Sequence, residues 1–217
     1  ELTRSPELAI ELEQGAKIAL VSDAGTPGIS DPGHRLVTLC LRHHIPVVPI
    51  PGPSALVAAL AASGLPTEEF LFIGFLPPRA GARRKALGAL KAESRTLIFY
   101  EAPHRVVETL ADATEILGPR PAVIAREVTK IHEEFLRGPL AELLESARKR
   151  APRGEITLLI GPGDPQAQQV ELSVSLKERV EQLEAEGGID RKAALKQAAR
   201  ERGLGKREAY KQLLLER

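Results

Sequence analysis

Ile18-Ala19-Leu20-Val21-Ser22-Asp23-Ala24-Gly25-Thr26-Pro27-Gly28-Ile29-Ser30-Asp31-Pro32-Gly33 decides how the rest of the chain is read. A short apolar run ends abruptly in small, turn-forming residues that carry acids, hydroxyls and three glycines. A buried parallel strand of an α/β sheet reads this way where its carboxyl end meets a ligand. Gly25, Gly28 and Gly33 allow close backbone approach and positive φ at no steric cost. Asp23 and Thr26 then offer hydrogen-bonding groups at the crevice. An ordinary βα loop with a helix cap reads the same way from this stretch alone, so its neighbours must decide.

Working outward, residues 6–15 predict a helix leading into a strand at Lys17–Val21. A second helix follows at Pro32–His43, then a strand at Pro46–Ile50 and an alanine-rich helix at Leu56–Ser63. Alternating strands and helices with short connections imply a parallel sheet covered by helices. The strand ends Asp23–Thr26 and Gly52–Ala55 would then lie side by side on the carboxyl edge. After Gly64-Leu65-Pro66 the pattern restarts. Strands are expected at Phe70–Phe75, Arg95–Tyr100, Ala122–Arg126 and Glu155–Ile160, and helices at Lys85–Lys91, Val106–Leu117 and Leu140–Lys149. The expected organisation is an N-terminal α/β domain over 1–68, a second α/β domain over 69–163, a polar linker, and a helical tail over 175–217. Helices near 175–186, 190–202 and 205–216, separated by glycine turns, resemble a helix-turn-helix.

Composition narrows the function classes. A chain of 217 residues that is 43% hydrophobic has enough apolar content for packed cores. The formal charge of +1 gives no global pull toward nucleic acid, so any basic surface must be local. Two local excesses exist. Arg79 to Arg95 holds six Lys/Arg against one Glu, including Arg83-Arg84-Lys85, and Arg191 to Arg217 holds nine against three acids. The lone Cys40 sits in an apolar run and reads as a buried structural thiol. No apolar stretch reaches the roughly eighteen residues of a membrane helix, and the expected location is the cytoplasm. Metal-ligand spacing is absent: His43 and His44 are adjacent and would point apart on a helix, while His34, His104 and His132 are isolated. Neither a dinucleotide fingerprint nor a phosphate-binding Walker loop follows a strand.

Two further strand ends carry polar clusters. Tyr100-Glu101-Ala102-Pro103-His104-Arg105 closes one, with Glu101 and Arg105 also suited to pairing across a helix start. Ala125-Arg126-Glu127-Val128-Thr129-Lys130 closes another. Loops at strand ends are where a rigid scaffold presents function.

The runs VSDAGTPGISDPG, VVPIPGPSA, GFLPP, TLIFYEAPHR, AREVTK and GEITLLI, in this order, resemble the ribosomal RNA small subunit methyltransferase I group of the tetrapyrrole methylase superfamily. The resemblance implies a two-domain α/β fold and a homodimer. It implies S-adenosylmethionine-dependent 2′-O-ribose methylation of a cytidine in small-subunit ribosomal RNA, free or in the assembled subunit, without a metal. The cofactor would be held largely by backbone at Asp23, Ala24, Gly25, Thr26, Ser54, Ala55, Tyr100, Glu101, Ala125 and Ile156. A ribose hydroxyl is a poor acid, so a nearby base would help it react. Glu127 and Lys130, or Glu101 with Arg105, are the candidates, and Lys130 would need a lowered pKa. Arg83, Arg84, Lys85, Arg191, Lys192, Lys206 and Arg207 are the candidate RNA contacts. A tetrapyrrole or diphthine methyltransferase of the same superfamily, or a non-catalytic RNA-binding factor, are the alternatives. Full-length members begin with Pro-x-Gly-Asn-Leu and Glu-Asp-Thr-Arg motifs that do not occur here, so a missing N-terminal portion, with its first strand, is expected.

Overall fold

The computed structural model describes residues 3–23, 25–163, 175–187, 190–201 and 204–215. They fall into two compact units, Glu1–Gly163 and Asp164–Arg217. The first unit opens with three helices, α1 (Arg4–Glu13), α2 (His34–Arg42) and α3 (Ala55–Ser63). There follow β1 (Phe70–Phe75), α4 (Ala80–Ala89), β2 (Thr96–Glu101), α5 (Val106–Leu117), β3 (Pro121–Arg126), β4 (Glu134–Pro139), α6 (Leu140–Lys149) and β5 (Ile156–Ile160).

The strands form one mixed sheet in the order β1-β2-β5-β3-β4. β1 and β2 run parallel, whereas β5 is antiparallel to both its neighbours and β3 is antiparallel to β4. In β2, β3 and β5 the side chains alternate between the two faces. Leu97, Phe99, Ala122, Ile124, Ile156, Leu158 and Ile160 pack against α4, α5 and α6. Ile98, Val123, Ala125 and Leu159 turn the other way, onto Leu56, Ala59 and Leu60 of α3. The sheet is thus the middle layer of an α/β sandwich. Cys40 is buried, as its apolar surroundings imply.

Three local expectations are corrected. Lys17–Val21 and Pro46–Ile50 form no strand ladder among the described residues. An apolar run states a preference for burial, but a strand exists only where a neighbour takes up its backbone hydrogen bonds. Here Val21, Val48 and Ile50 are 81%, 74% and 83% exposed. The helix expected at Lys85–Lys91 starts earlier, at Ala80, because Arg79 is extended and begins the turn directly after Pro77-Pro78. β4 was not anticipated: Glu134-Phe135-Leu136-Arg137-Gly138-Pro139 is a half-exposed edge strand, and its sequence lacks a continuous apolar run.

The second unit contains α7 (Leu176–Gly187), α8 (Arg191–Glu201) and α9 (Lys206–Leu215). A capping box starts α7: the Glu178 amide donates to Ser175 Oγ at 3.0 Å and the Ser175 amide donates to Glu178 Oε2 at 2.9 Å. Asp190 caps α8 by accepting from the Ala193 amide at 2.8 Å. Leu176, Val180, Leu183, Ala194, Leu195, Ala198, Ala199 and Ala209 form its core.

Candidate functional site

In the first unit a cavity of about 580 Å³ opens over the α3 face of the sheet. Its floor follows from strand register. Phe75 pairs with Tyr100, Tyr100 with Thr157, and Thr157 with Ala125, so four side chains stand in one row across β1, β2, β5 and β3. Paired residues share a face, and all four line the cavity. The row passes from two aromatic rings to a threonine and an alanine, so side-chain bulk falls away toward Thr157 and Ala125.

Two loops close the cavity from above. Gly25, Thr26, Ile29, Ser30 and Asp31 come from the glycine-rich stretch, and Pro53, Ser54 and Ala55 lead into α3. Thr26 Oγ1 donates to the Pro53 carbonyl at 3.2 Å, tying the loops together. Gly33 has φ of +137°, a conformation strained for any residue with a side chain, and a Cβ there would push against the tip of Leu20.

The cofactor-binding expectations are brought together in large part. Gly25, Thr26, Ser54, Ala55, Tyr100, Glu101, Ala125 and Ile156 all line the same cavity. Asp23 is exposed and stands outside this lining, and Ala24 lies outside the described residues. Missed from sequence were Phe75, Asp31, Thr157 and Glu155. Phe75 and Thr157 could have been found from strand pairing, and Asp31 from its place in the quoted stretch.

The expected bases fare differently. Glu101 is buried and fully engaged. Its Oε1 accepts from the Ala102 amide and from Arg105 Nη2, both at 2.8 Å, and its Oε2 accepts from Thr109 Oγ1 at 2.6 Å. Glu101 and Arg105 therefore anchor the start of α5, and a carboxylate so committed is no general base. Glu127 adopts a left-handed conformation, φ +50°, and Thr129 does so at φ +67°. Glu127 Oε1 accepts from the Glu155 amide at 2.8 Å and from Lys130 Nζ at 3.2 Å. Lys130 Nζ also meets Glu155 Oε2 at 3.0 Å. A Cβ on Gly154, which holds φ of +85°, would collide with the Glu127 carboxylate, so this arrangement favours glycine.

Hydrogen bonds to Glu155 and Glu127 hold the Lys130 ammonium above its ordinary pKa. The lowered value a lysine base requires is thus not found; the pair of carboxylates stabilises the charged form. The Glu155 amide and Lys130 correspondingly hold Glu127 below the usual carboxylate range. Burial pushes the Tyr100 phenol up, with Asp31 adding to the effect and a backbone hydrogen bond at Leu56 opposing it.

The basic residues separate into paired and exposed. Arg83 is 3% exposed, its Nε donating to Asp112 Oδ2 at 2.7 Å. Arg84 Nη1 donates to Asp112 Oδ1 and to Glu115 Oε2, both at 2.8 Å. Both guanidiniums hold α4 to α5 through carboxylates 25 to 31 residues downstream, Arg83 in a buried position and Arg84 in a partly exposed one. Lys85, Arg191 and Lys192 are exposed. Lys206 and Arg207 begin α9, and their side chains lie outside the described residues. Among the described residues no cluster of His, Cys, Asp or Glu could hold a metal, and no helix is long and apolar enough to cross a membrane.

Comparison with known proteins gives this site a context. The family model of the tetrapyrrole (corrin/porphyrin) methylases matches residues 4–144. The ribosomal RNA small subunit methyltransferase I of Thermotoga maritima is 49% identical over 157 residues, covering 72% of this chain and 70% of the relative. That of Escherichia coli O157:H7 is 43% identical over 198 residues, covering 90% and 68%. That of Micromonospora olivasterospora is 49% identical over 168 residues, covering 77% of this chain but 53% of the relative. The chain therefore spans between 53% and 70% of the length of these relatives. Among solved structures, the methyltransferase CobJ matches with a TM-score of 0.57 at 22% identity, covering 75% of this chain and 72% of that one. A uroporphyrin-III-C-methyltransferase from Thermus thermophilus matches at 0.51 and 22%, covering 73% and 70%. These two likenesses show the fold.

Proposed function

Because the chain belongs to the tetrapyrrole methylase family, we propose that it transfers a methyl group from S-adenosylmethionine to small-subunit ribosomal RNA. The acceptor is the 2′-oxygen of a cytidine ribose. The observation that carries this reading is the cavity built on the Phe75–Tyr100–Thr157–Ala125 row. Its volume of about 580 Å³ falls inside the range of about 300–1,000 Å³ usual for small-molecule sites. Its lining includes the small residues Gly25, Ala55, Ala58, Ala102 and Ala125, which suits a bulky cofactor held by main-chain groups.

The bound cofactor supplies an electrophilic methyl group, so the protein's task is placement and proton management. Ala125, Ile156 and Thr157 are buried and keep water from the inner wall. Lys130, held protonated between Glu127 and Glu155, ties these residues together at the cavity lining rather than taking a proton. Asp31, exposed on the covering loop and part of the lining, is the carboxylate we assign to receive the ribose hydroxyl proton. Lys85 in the first unit and, separately, Arg191 and Lys192 in the second are the exposed candidates for phosphate contacts. A two-lobed first unit divided at 68/69, a homodimer and a cytoplasmic location belong to the same reading.

The test is calorimetric titration with S-adenosylhomocysteine, then transfer of labelled methyl to small ribosomal subunits. Saturable binding and a single alkali-resistant cytidine linkage are expected; failure of the protein to bind the cofactor product overturns the reading.

A further inference from the structure

The chain holds only five Phe and two Tyr, yet three of the seven meet at one edge of the cavity. The Phe72 ring stands edge-on to Tyr100 with centroids 5.0 Å apart, and Phe75 is tilted against Tyr100 at 5.8 Å. Phe72 is half-buried, but Phe75 is 54% exposed while lining the cavity. An apolar ring left this open is informative, because the same strand buries Leu71 and Ile73 against the opposite core.

Phe75 reaches the cavity by a deviation of the backbone. β1 pairs regularly with β2 through Phe72 and Ile98, then shifts register so that Gly74 meets Phe99 and Phe75 meets Tyr100. In an unbroken ladder Gly74 would face Tyr100, and Phe75 would point to the other face with Glu101. The bulge reverses this, and it needs Gly74 at φ +74°, a conformation that residues with a Cβ adopt rarely. The fold therefore spends a β-bulge to put one aromatic face at the cavity mouth.

Resting on the methyltransferase reading above, we propose that Phe75 is the stacking platform for the nucleobase of the RNA nucleotide being methylated. Two features favour an RNA base over the adenine of the cofactor. The Phe75 end of the row is solvent-open, whereas the Thr157–Ala125 end is buried and suits a ligand that is enclosed. Three strand spacings, about 14 Å, separate Phe75 from Ala125, so a group over one does not cover the other. A base presented to this face must leave its own stack, and an exposed ring edge-supported by Tyr100 replaces the lost contact.

The intact protein is titrated with a short oligoribonucleotide of the small-subunit rRNA that carries a fluorescent cytidine analogue at the target position. S-adenosylhomocysteine affinity is measured separately. Phe75→Ala and Phe75→Leu, the second keeping apolar bulk without a ring, are expected to lose about tenfold in RNA affinity and most of the fluorescence quench. Phe75→Trp should restore both, and cofactor affinity should stay within twofold throughout. Loss of cofactor affinity with RNA binding intact would assign the ring to the adenine and overturn the proposal, as would RNA binding insensitive to Phe75→Ala. If the wild-type protein binds the oligoribonucleotide but not the cofactor, the methyltransferase reading falls and the platform falls with it.

Discussion

Asp112→Ala is expected to destabilise the first unit by about 3–5 kcal/mol, the cost of leaving a buried charge without its partner. Arg83 is almost wholly buried, and Asp112 is its close partner, at 2.7 Å from Nε. With Asp112 gone, Arg83 keeps only Glu108 at 3.3 Å, on a side chain that is largely exposed. Arg83 Nη1 already lacks a hydrogen-bond partner, so the guanidinium has little reserve. Glu115→Ala is the control: it breaks the exposed bidentate pair with Arg84 and should cost less than about 1 kcal/mol. Burial pushes the Asp112 carboxyl up, but hydrogen bonds from Arg84 and Arg83 outweigh it and hold it below its ordinary value. A depressed carboxyl stabilises the fold above its unfolded pKa of about 3.9, and that contribution fades as pH falls through the folded value. Urea titrations at neutral pH and in acid measure both effects. Equal losses for Asp112→Ala and Glu115→Ala would show that the buried pair is not the stronger one.

Ala125→Leu is expected to reduce S-adenosylhomocysteine affinity by a factor of about 5 to 150, from the roughly 1–3 kcal/mol that overpacking costs. Ala125 is fully buried at the inner end of the floor row and also touches the α3 core. The added side chain has two outlets, upward into the cavity or sideways into Leu56 and Ala59. Calorimetry reports the first and a thermal melt the second. Wild-type affinity with a lowered melting temperature would mean that the cofactor does not use this wall.

The central strands were readable from sequence for a plain reason. Leu97-Ile98-Phe99 and Thr157-Leu158-Leu159-Ile160 are buried on both faces, so their residues are nearly all apolar. The same argument failed at Pro46–Ile50, because apolar content does not say whether a pairing neighbour is present. It failed in the opposite sense at β4, whose Glu134 and Arg137 mark an edge. In the site, the glycines and the Ser54-Ala55 turn were visible because close approach restricts residue type. What stayed hidden was relational: Arg83 reads as a basic surface until Asp112 is seen beside it. Lys130 reads as a possible base until Glu127 and Glu155 are seen on either side. Phe75 faces the cavity through a one-residue shift that apolar periodicity does not encode.

The position of β5 governs how the first unit comes together during synthesis. β5 is the last strand of the sheet to be made, yet it lies between β2 and β3 and hydrogen-bonds to both. Before Ile160 emerges, the sheet exists as two ribbons, β1–β2 and β3–β4, and two-stranded ribbons are marginal in water. Their apolar inner edges, Leu97 to Tyr100 and Val123 to Ala125, wait unpaired for a segment some 30 to 60 residues downstream. The late insertion makes closure of the sheet a single, non-local event, which is slow and leaves edges open to aggregation until it occurs. The floor row completes at the same moment, since Thr157 is its central member. The nascent chain therefore has no binding site until its central strand arrives.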